Sequence, residues 1–381
     1  MRWRFSPIKR IIPLLLLALI LLPLFIGCNK KNDDKGKAGG PAPIRIGVLL
    51  PLTGTSAIHG KDCLVGIEIA RDETNDHGGV NGRPIELIVE DTASKTASAI
   101  DALRKLIDIE KVPVVLGPIS TAETLAGATV ADRAKIVLFS PTAASPEIHG
   151  ISPYVFRIGL MTTPQGKRMA EYCYQKLGIK SMGILAMNDE TGIAYADAFQ
   201  SAYESFGGKI SDRLSYLKSD TEFRTVLTKL KNAKVSNLYV TSVPTTMGYI
   251  ARQATELAYR PKFFTNAGVE GEDLLTIAGN AAEGIVFTGL APSEDFLKKF
   301  EMRAKRQPGI AGPQGYDAFE IIVNALKARG DDREGIRQYL AKMPPYEGVG
   351  GTISFDETGE IVRVPHLKVV ADGKFKRLVG N

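Results

Sequence analysis

From Ile44 onward, short apolar, β-branched runs alternate with longer stretches of helical period. Ile44–Leu50 predicts a strand followed by a helix from about Gly60 to Asp76, and Ile85–Asp91 a strand followed by a helix over Ala99–Ile109. Val112–Leu116 leads into a helix ending at Ala134, and Ile136–Phe139 is the fourth strand. Ile100, Leu103 and Ile107 share one helix face, the spacing of a helix that lays one side on a sheet. The alternation restarts after Pro164, with strands at Ser181–Met187, Asn237–Val240 and Lys262–Thr265 and helices near Ile193–Phe206, Glu222–Lys231 and Thr246–Leu257. Near-continuous apolar strands separated by helices predict parallel sheets covered on both faces, and two such series predict two lobes. Helices near Phe296–Arg306, Tyr316–Arg329 and Arg333–Lys342 then precede strands at Thr352–Phe355 and Leu367–Val370, with turns at Glu357-Thr358-Gly359 and Asp372-Gly373. This tail is too short for a third lobe and is expected to return to the first two.

The start of the chain has another pattern. Arg2, Arg4, Lys9 and Arg10 precede an apolar run from Ile11 to Ile26, the layout of a secretory signal. Pro13 and Pro23 interrupt the run, which falls short of the roughly 20 apolar residues of a membrane-spanning helix. Phe25-Ile26-Gly27-Cys28 closes it and resembles a bacterial lipobox, with Phe25 where Leu is commoner. That resemblance implies that Cys28 receives lipid and becomes the mature N-terminus, held by acyl chains at about 0.8 kcal/mol per buried methylene. Residues 1–27 then form the signal and 28–43 a tether of Lys, Asn, Asp, Gly and Pro with little that packs.

Charge alters this picture little. The formal net charge is +6, but four cations and no acid lie within the signal, which leaves +2 for the rest and no clustered basic face for nucleic acid. Cys63 and Cys173 fall in separate helical patterns and are expected to be isolated buried thiols. The segment Gly54 to Asp62 fails as a phosphate loop. Its glycines are one residue too far apart, and Asp62 stands where a hydroxyl should meet magnesium. His59, His77, His149 and His366 lack metal-ligand spacing, and no Gly-x-Ser-x-Gly elbow occurs. No catalytic residue, metal or cofactor is indicated, and the chain does not read as an enzyme.

The better candidates are two loops. Gly117-Pro118-Ile119-Ser120-Thr121 lies between a strand and a helix, where unpaired N–H groups and a partial positive charge suit a carboxylate or another acceptor. Ser120 alternatively caps its own helix. Ser140-Pro141-Thr142-Ala143-Ala144-Ser145-Pro146 follows the next strand and falls on the same carboxyl edge, where open α/β sheets bind ligands.

At these residues the chain resembles the leucine/isoleucine/valine-binding protein family, the periplasmic binding components of branched-chain amino-acid ABC transporters. The resemblance runs from about Ile44 to Gly373. It is carried by Asn75, Gly78 through Ile85, Asp91, the Gly117-Pro118 and Ser140-Pro141 loops, Tyr316-Asp317-Ala318 and Gly350 through Asp356.

The resemblance implies a type I periplasmic binding fold, α/β, with two doubly wound parallel-sheet lobes joined by a three-segment hinge. Lobe 1 would comprise 44–161 plus 289–363 and lobe 2 would comprise 162–288 plus 364–381, with crossings near Leu160–Thr163, Thr288–Ala291 and Val362–Pro365. It implies carboxylate binding by Thr121, assisted by Ser120, and by the loop of Thr142, Ala143 and Ala144. Ala144 stands where amino-acid binders commonly have Thr and offers only backbone groups. In the second lobe Thr191 and Val243 fall where aromatic residues often line the pocket. Ala267 matches the acid that pairs with the ligand ammonium, so Glu270 or Asp189 would have to substitute for it. His59, in a loop, falls where an aromatic residue often lids the pocket and could pair with a carboxylate or hydroxyl.

The implied function is an extracytoplasmic, lipid-anchored solute-binding protein that closes its lobes around a small molecule and docks on ABC permease subunits. Branched-chain amino acids are the family default, and an amide or small carboxylic acid is favoured by Ala144 and Ala267. The alternative from another class is a ligand-sensing module signalling to a membrane receptor or kinase.

Overall fold

The computed structural model describes residues 41–356 and 360–378. The signal, Cys28, the tether up to residue 40 and the turn at Glu357-Thr358-Gly359 lie outside the described residues. Strands and helices alternate through the first part: β1 (Ile44–Leu50), α1 (Ala57–Asp76), β2 (Ile85–Asp91), α2 (Thr96–Arg104), β3 (Val114–Leu116), α3 (Thr121–Ala134), β4 (Val137–Ser140) and β5 (Val155–Arg157). They build a five-stranded parallel sheet ordered β2-β1-β3-β4-β5. Its inner strands β1, β3 and β4 are buried almost throughout, as expected of a sheet with helices on both faces, while the edge strands β2 and β5 are partly exposed.

The second series is α4 (Thr162–Glu171), β6 (Ser181–Met187), α5 (Glu190–Ser205), β7 (Lys209–Tyr216), α6 (Arg224–Asn232), β8 (Asn237–Val240), α7 (Pro244–Glu256), β9 (Lys262–Thr265), α8 (Glu272–Ala278) and β10 (Val286–Gly289). The chain then returns to the first layer through α9 (Glu294–Ala304), α10 (Ala311–Arg329), α11 (Arg333–Leu340), β11 (Tyr346–Gly348), β12 (Gly351–Phe355) and β13 (Ile361–Val362). It ends in the second with β14 (His366–Ala371) and β15 (Lys374–Arg377). The second sheet has seven strands ordered β15-β14-β10-β9-β8-β6-β7, parallel except for the antiparallel β14 and β15. The tail thus completes both layers.

Each layer has its own core. Ile44, Ile46, Val48 and Leu50 of β1 pack with Ile321, Ile322, Val323 and Leu326 of α10, so the returning helix is integral to the first layer. Each such side chain contributes about 1.5–3 kcal/mol on burial. α1 and α10 approach closely enough that a Cβ on Gly66 would lie 2.0 Å from the Gly312 carbonyl oxygen. In the second layer Leu185, Leu238, Val240 and Phe287 pack against Leu227, Met247 and Ile250. Cys63 and Cys173 belong to the cores of different layers and are free, buried thiols. Ile100, Leu103 and Ile107 turn inward together, Ile100 half-buried and the other two fully.

Three differences from the expected elements matter. Helix α1 begins at Ala57, so His59 lies in its first turn and not in a loop. Strand β7 alternates exposed and sheltered residues along one edge of the second sheet, so its period-2 signal is diluted by charge. Strand β10 is four buried residues, Val286–Gly289, that overlap the expected crossing segment near Thr288.

Two family-like motifs have local reasons. The Asn75 side chain accepts the Ile85 N–H at 2.7 Å and donates to the Ile85 carbonyl at 3.0 Å, pinning the end of α1 to the start of β2. The Asp91 carboxylate accepts the N–H groups of Leu52 and Ala93, each at 2.8 Å, and the Thr53 hydroxyl at 2.7 Å, which shapes the loop after β1.

Candidate functional site

The carboxyl ends of β3 and β4 carry the two small-residue loops, and hydrogen bonds make them one unit. Gly117 adopts φ 107°, and a Cβ there would lie 2.0 Å from the Leu49 carbonyl oxygen, so glycine is required where the chain leaves β3. The Ser140 hydroxyl donates to the Pro118 carbonyl at 2.6 Å and accepts the Ala143 N–H at 3.1 Å. The Thr142 hydroxyl donates to the Ile119 carbonyl at 2.6 Å. Ser120 caps α3 by accepting the Glu123 N–H at 3.2 Å. Thr121 follows at the first helical position, 3% exposed.

The second layer answers across the cleft. Asp189 caps α5 by accepting the Gly192 N–H at 2.7 Å, which presents Thr191 in the first turn of that helix. The Thr191 hydroxyl donates to the Thr121 hydroxyl at 2.9 Å. Lys218, just past β7, donates to the Ser56 hydroxyl at 3.3 Å. At the carboxyl ends of β8 and β9, the Asn266 side chain accepts the Ser242 N–H at 2.8 Å and donates to the Ser242 carbonyl at 3.1 Å. That brace fixes Val243, where α7 begins, beside Ala267.

Between the layers lies a cavity of about 310 Å³, within the size range of small-molecule sites. His59, Ser120, Thr121, Thr142, Ala143, Ala144, Thr191, Val243 and Ala267 all line it. Glu123, Asp189, Lys218, Ser242, Asn266 and Gln314 line it as well. Of these Asp189 was anticipated as a substitute acid, and the others were missed. Ser120 and Glu123 form a Ser-x-x-Glu capping pattern that marks only a helix start. Lys218 follows an unrecognised strand, and Asn266 carries no motif.

Some backbone groups of the expected site are committed elsewhere. The Ala143 N–H is spent on Ser140, and the Ala144 carbonyl accepts the Thr162 N–H at 3.2 Å. The Ala267 N–H donates to Gln165 at 3.1 Å. Glu270 does not replace the acid missing at Ala267: it is buried, pairs with Lys368, and is not in the cavity wall. Asp189 is in the wall, and burial raises its carboxyl pKa against the lowering effect of the Gly192 N–H.

His59 is held down to about 4, first by burial and then by the nearby Lys218 charge, against the Gly268 backbone and Asp273. It is therefore a neutral imidazole at pH 7.

Gln165 stands behind the cavity, 1% exposed. Its amide donates to the Leu160 carbonyl at 2.6 Å and the Tyr195 hydroxyl at 2.8 Å, and its oxygen accepts the Thr288 hydroxyl at 2.6 Å. Asp317 and Arg363 form a second buried node at 2.9 Å, where Asp317 also accepts the Val349 N–H at 2.7 Å and Arg363 donates to the Ile158 carbonyl at 3.1 Å.

Comparison with known proteins agrees with this geometry. The Leu/Ile/Val-binding protein homolog 1 of Brucella abortus (strain 2308) is 26% identical over 329 residues, covering 84% of this chain and 88% of that protein. The branched-chain amino acid transporter substrate binding protein LivJ from Streptococcus pneumoniae, solved in complex with isoleucine, superimposes with a TM-score of 0.83 at 26% identity. That match covers 88% of this chain and 99% of the other. A solute binding protein of an ABC transporter from Rhodopseudomonas palustris BisB5, in complex with 3,4-dihydroxy benzoic acid, gives 0.80 at 26% identity over 88% and 96% of the two chains. The periplasmic binding protein family matches residues 43–365, nearly all of the two layers described above, and the chain belongs to it.

Proposed function

We propose that the chain captures a small solute outside the cytoplasm and delivers it to the permease subunits of an ABC importer, the solute being a branched-chain amino acid or a related small amide or carboxylic acid. The observation that carries this reading is one cavity walled by the carboxyl-edge loops of two parallel sheets, the position where open α/β sheets bind ligands. The relatives solved with isoleucine and with 3,4-dihydroxy benzoic acid support a small acid as the ligand class. The Ala144 and Ala267 departures favour an acid other than a standard α-amino acid unless Asp189 in the cavity wall supplies the counter-charge, because a buried ammonium without one costs several kcal/mol.

In this reading the two layers are hinged lobes, 44–161 plus 289–363 and 162–288 plus 364–381. Gln165 and the Asp317–Arg363 pair brace the crossing segments between them. A ligand touching both lobes favours the closed state in which Thr121 meets Thr191, and that state docks on the permease. Thr121, with Ser120 and Thr142 beside it, faces the ligand from the first lobe, as do Ala143, Ala144 and His59. Thr191, Val243 and Ala267 face it from the second. Lipid on Cys28 and the tether to residue 43 hold the protein at the extracytoplasmic face of the membrane.

A thermal-shift screen of the mature protein against amino acids, amides and aromatic acids tests the reading. A ligand selective for the folded state raises the melting temperature by mass action. Absence of any shift across all three classes at millimolar concentration would overturn the ligand class.

A further inference from the structure

The returning segment of the first layer also meets the second layer outside the cavity wall, through an ion pair. Its anchor is Asp62 on α1, whose side chain is 0% exposed and whose charge is costly without partners at that depth. Asp62 accepts the Gly309 N–H at 2.6 Å and pairs with the Arg306 guanidinium. Arg306 lies two residues past α9, with its guanidinium 5.7 Å from the centre of the buried Phe300 ring. Held by Asp62 and by that ring, it loses little further freedom on meeting another acid.

That other acid is Glu272. Its Oε2 lies 3.4 Å from Arg306 Nε, and it opens α8, whose Leu274 belongs to the core of the second layer. α1 belongs to the first layer through Cys63 and Ile67. Close by, the Glu270 carbonyl accepts the Ile310 N–H at 3.2 Å. A Cβ on Gly309 would lie 2.3 Å from the same carbonyl oxygen, so glycine lets residues 306–310 approach this closely. Ile310 lines the cavity, whereas Asp62, Arg306 and Glu272 are not in its wall.

We infer that Arg306 is a latch between the layers: it stays on Asp62 whether they are apart or together, gains Glu272 only when they meet, and so strengthens binding of every solute by one common factor without touching any. Asp62 keeps its partner because stripping a buried charge is strongly unfavourable, while Glu272, half-exposed, is readily hydrated when released. This rests on the hinge-closing reading above and adds a contribution to closure that does not depend on the ligand. Apparent affinity follows the fraction of protein already competent to bind.

The experiment measures the distance between spin labels on Lys95→Cys and Ser219→Cys, exposed positions next to the two sides of the Ser56–Lys218 contact. It uses the Cys28→Ser chain, whose other thiols, Cys63 and Cys173, are buried. The closed fraction is read without ligand and along titrations with L-isoleucine and with 3,4-dihydroxybenzoate. Glu272→Gln keeps the shape and removes the charge. It is expected to lower the ligand-free closed fraction and to raise the closure midpoint of each probe that binds by the same factor, about 2-fold to 5-fold at low salt. That factor is expected to fall towards one at roughly 1 M salt, where the Debye length is about 3 Å. Glu301→Gln, exposed on α9, removes the same charge and is expected to change neither reading.

A Glu272→Gln protein that closes like the wild type at low salt would overturn the latch. So would a loss confined to one of two bound probes, the mark of a ligand contact, or a loss that salt leaves unchanged. With neither probe bound, the ligand-free comparison decides alone. A label distance unmoved by probe, salt and variant alike defeats the hinge reading and the latch with it.

Discussion

Replacing Thr121 with valine keeps the shape of the side chain and removes the hydroxyl that meets Thr191 across the cleft at 2.9 Å. Thr121 is 3% exposed and Thr191 is half-buried in the cavity wall, so removing the acceptor leaves the Thr191 hydroxyl without its protein partner. Leaving a buried polar group unsatisfied costs about 1–3 kcal/mol, which weakens binding by roughly 5-fold to 150-fold if the cost falls on the ligand-bound state. Thr191→Val alone leaves Thr121 without its donor and is expected to cost the lower part of that range. The double variant separates two roles for Thr121. Removing both partners of a hydrogen bond at constant shape is close to neutral, so if the pair serves only to latch the layers, the double variant regains wild-type affinity. If Thr121 also holds the ligand, the double variant stays as weak as Thr121→Val. Calorimetry with whichever acid gives the largest thermal shift, run on all four proteins, distinguishes the outcomes. Recovery of the double variant to within two-fold of wild type would refute ligand contact by Thr121.

Arg363→Met strands the Asp317 carboxylate, 0% exposed at its side chain, and is expected to cost about 3–5 kcal/mol in urea unfolding. A loss below about 1 kcal/mol would show the pair to be dispensable. His59 sets a pH dependence. The unfolded imidazole protonates near 6.5 and the folded one only near 4, so its stabilising contribution is complete above 6.5 and declines as pH falls through that window. The decline reaches up to about 3 kcal/mol near pH 4, and a wild-type minus His59→Gln stability difference that is flat from pH 7 to pH 4 would contradict it. Cys28→Ser is expected to release the protein from membranes into the soluble extract, and retention of the variant in the membrane fraction would defeat the lipid assignment.

How legible the fold was depended on how apolar each strand is. β1, β6, β8 and β9 lie where their apolar runs do, because a strand buried on both faces has few polar positions to blur its limits. β5, at three residues, is as long as the recognised β3, and β10, at four, as long as the recognised β4, β8 and β9, and it is their pairing to β4 and β9 that defines them. β7 lies on an edge, and its outward Lys209, Ser211, Arg213 and Ser215 disguise the inward Ile210, Leu214 and Tyr216. The site followed the same division. Loops after recognisable strands brought Thr121, Thr142 and Ala267 to the cavity, whereas Lys218 was hidden behind β7. Glu123 was visible only as a helix-start residue, because nothing local in its neighbourhood says that Thr92 would turn its carboxylate away from the cap.

Charge within the core and around the cavity divides into two kinds, and the division bears on how the proposed closure would be coupled to a ligand. Asp317 with Arg363 and Glu270 with Lys368 are matched within the protein. They sit where the chain passes between layers or behind the cavity, so they hold in any state that preserves those contacts. Glu123, Asp189 and Lys218 line the cavity, and among the described residues none of them has an ion-pair partner. Matching these groups inside the protein would make the closed form self-sufficient, and a ligand with equal affinity for both forms shifts nothing. If the layers close as proposed, leaving them unmatched penalises closure by an amount that a suitable solute can relieve, and differential affinity for the closed state then comes from the solute's own donors and charge. The same arrangement predicts that neutralising the wall, for example with Glu123→Gln, which leaves Asp189 and Lys218 with opposite charges, will raise the population of the closed form without ligand while reducing the gain on binding. Small-angle scattering with and without ligand reads both effects, and an unchanged ligand-free radius together with full ligand-induced compaction would refute the coupling.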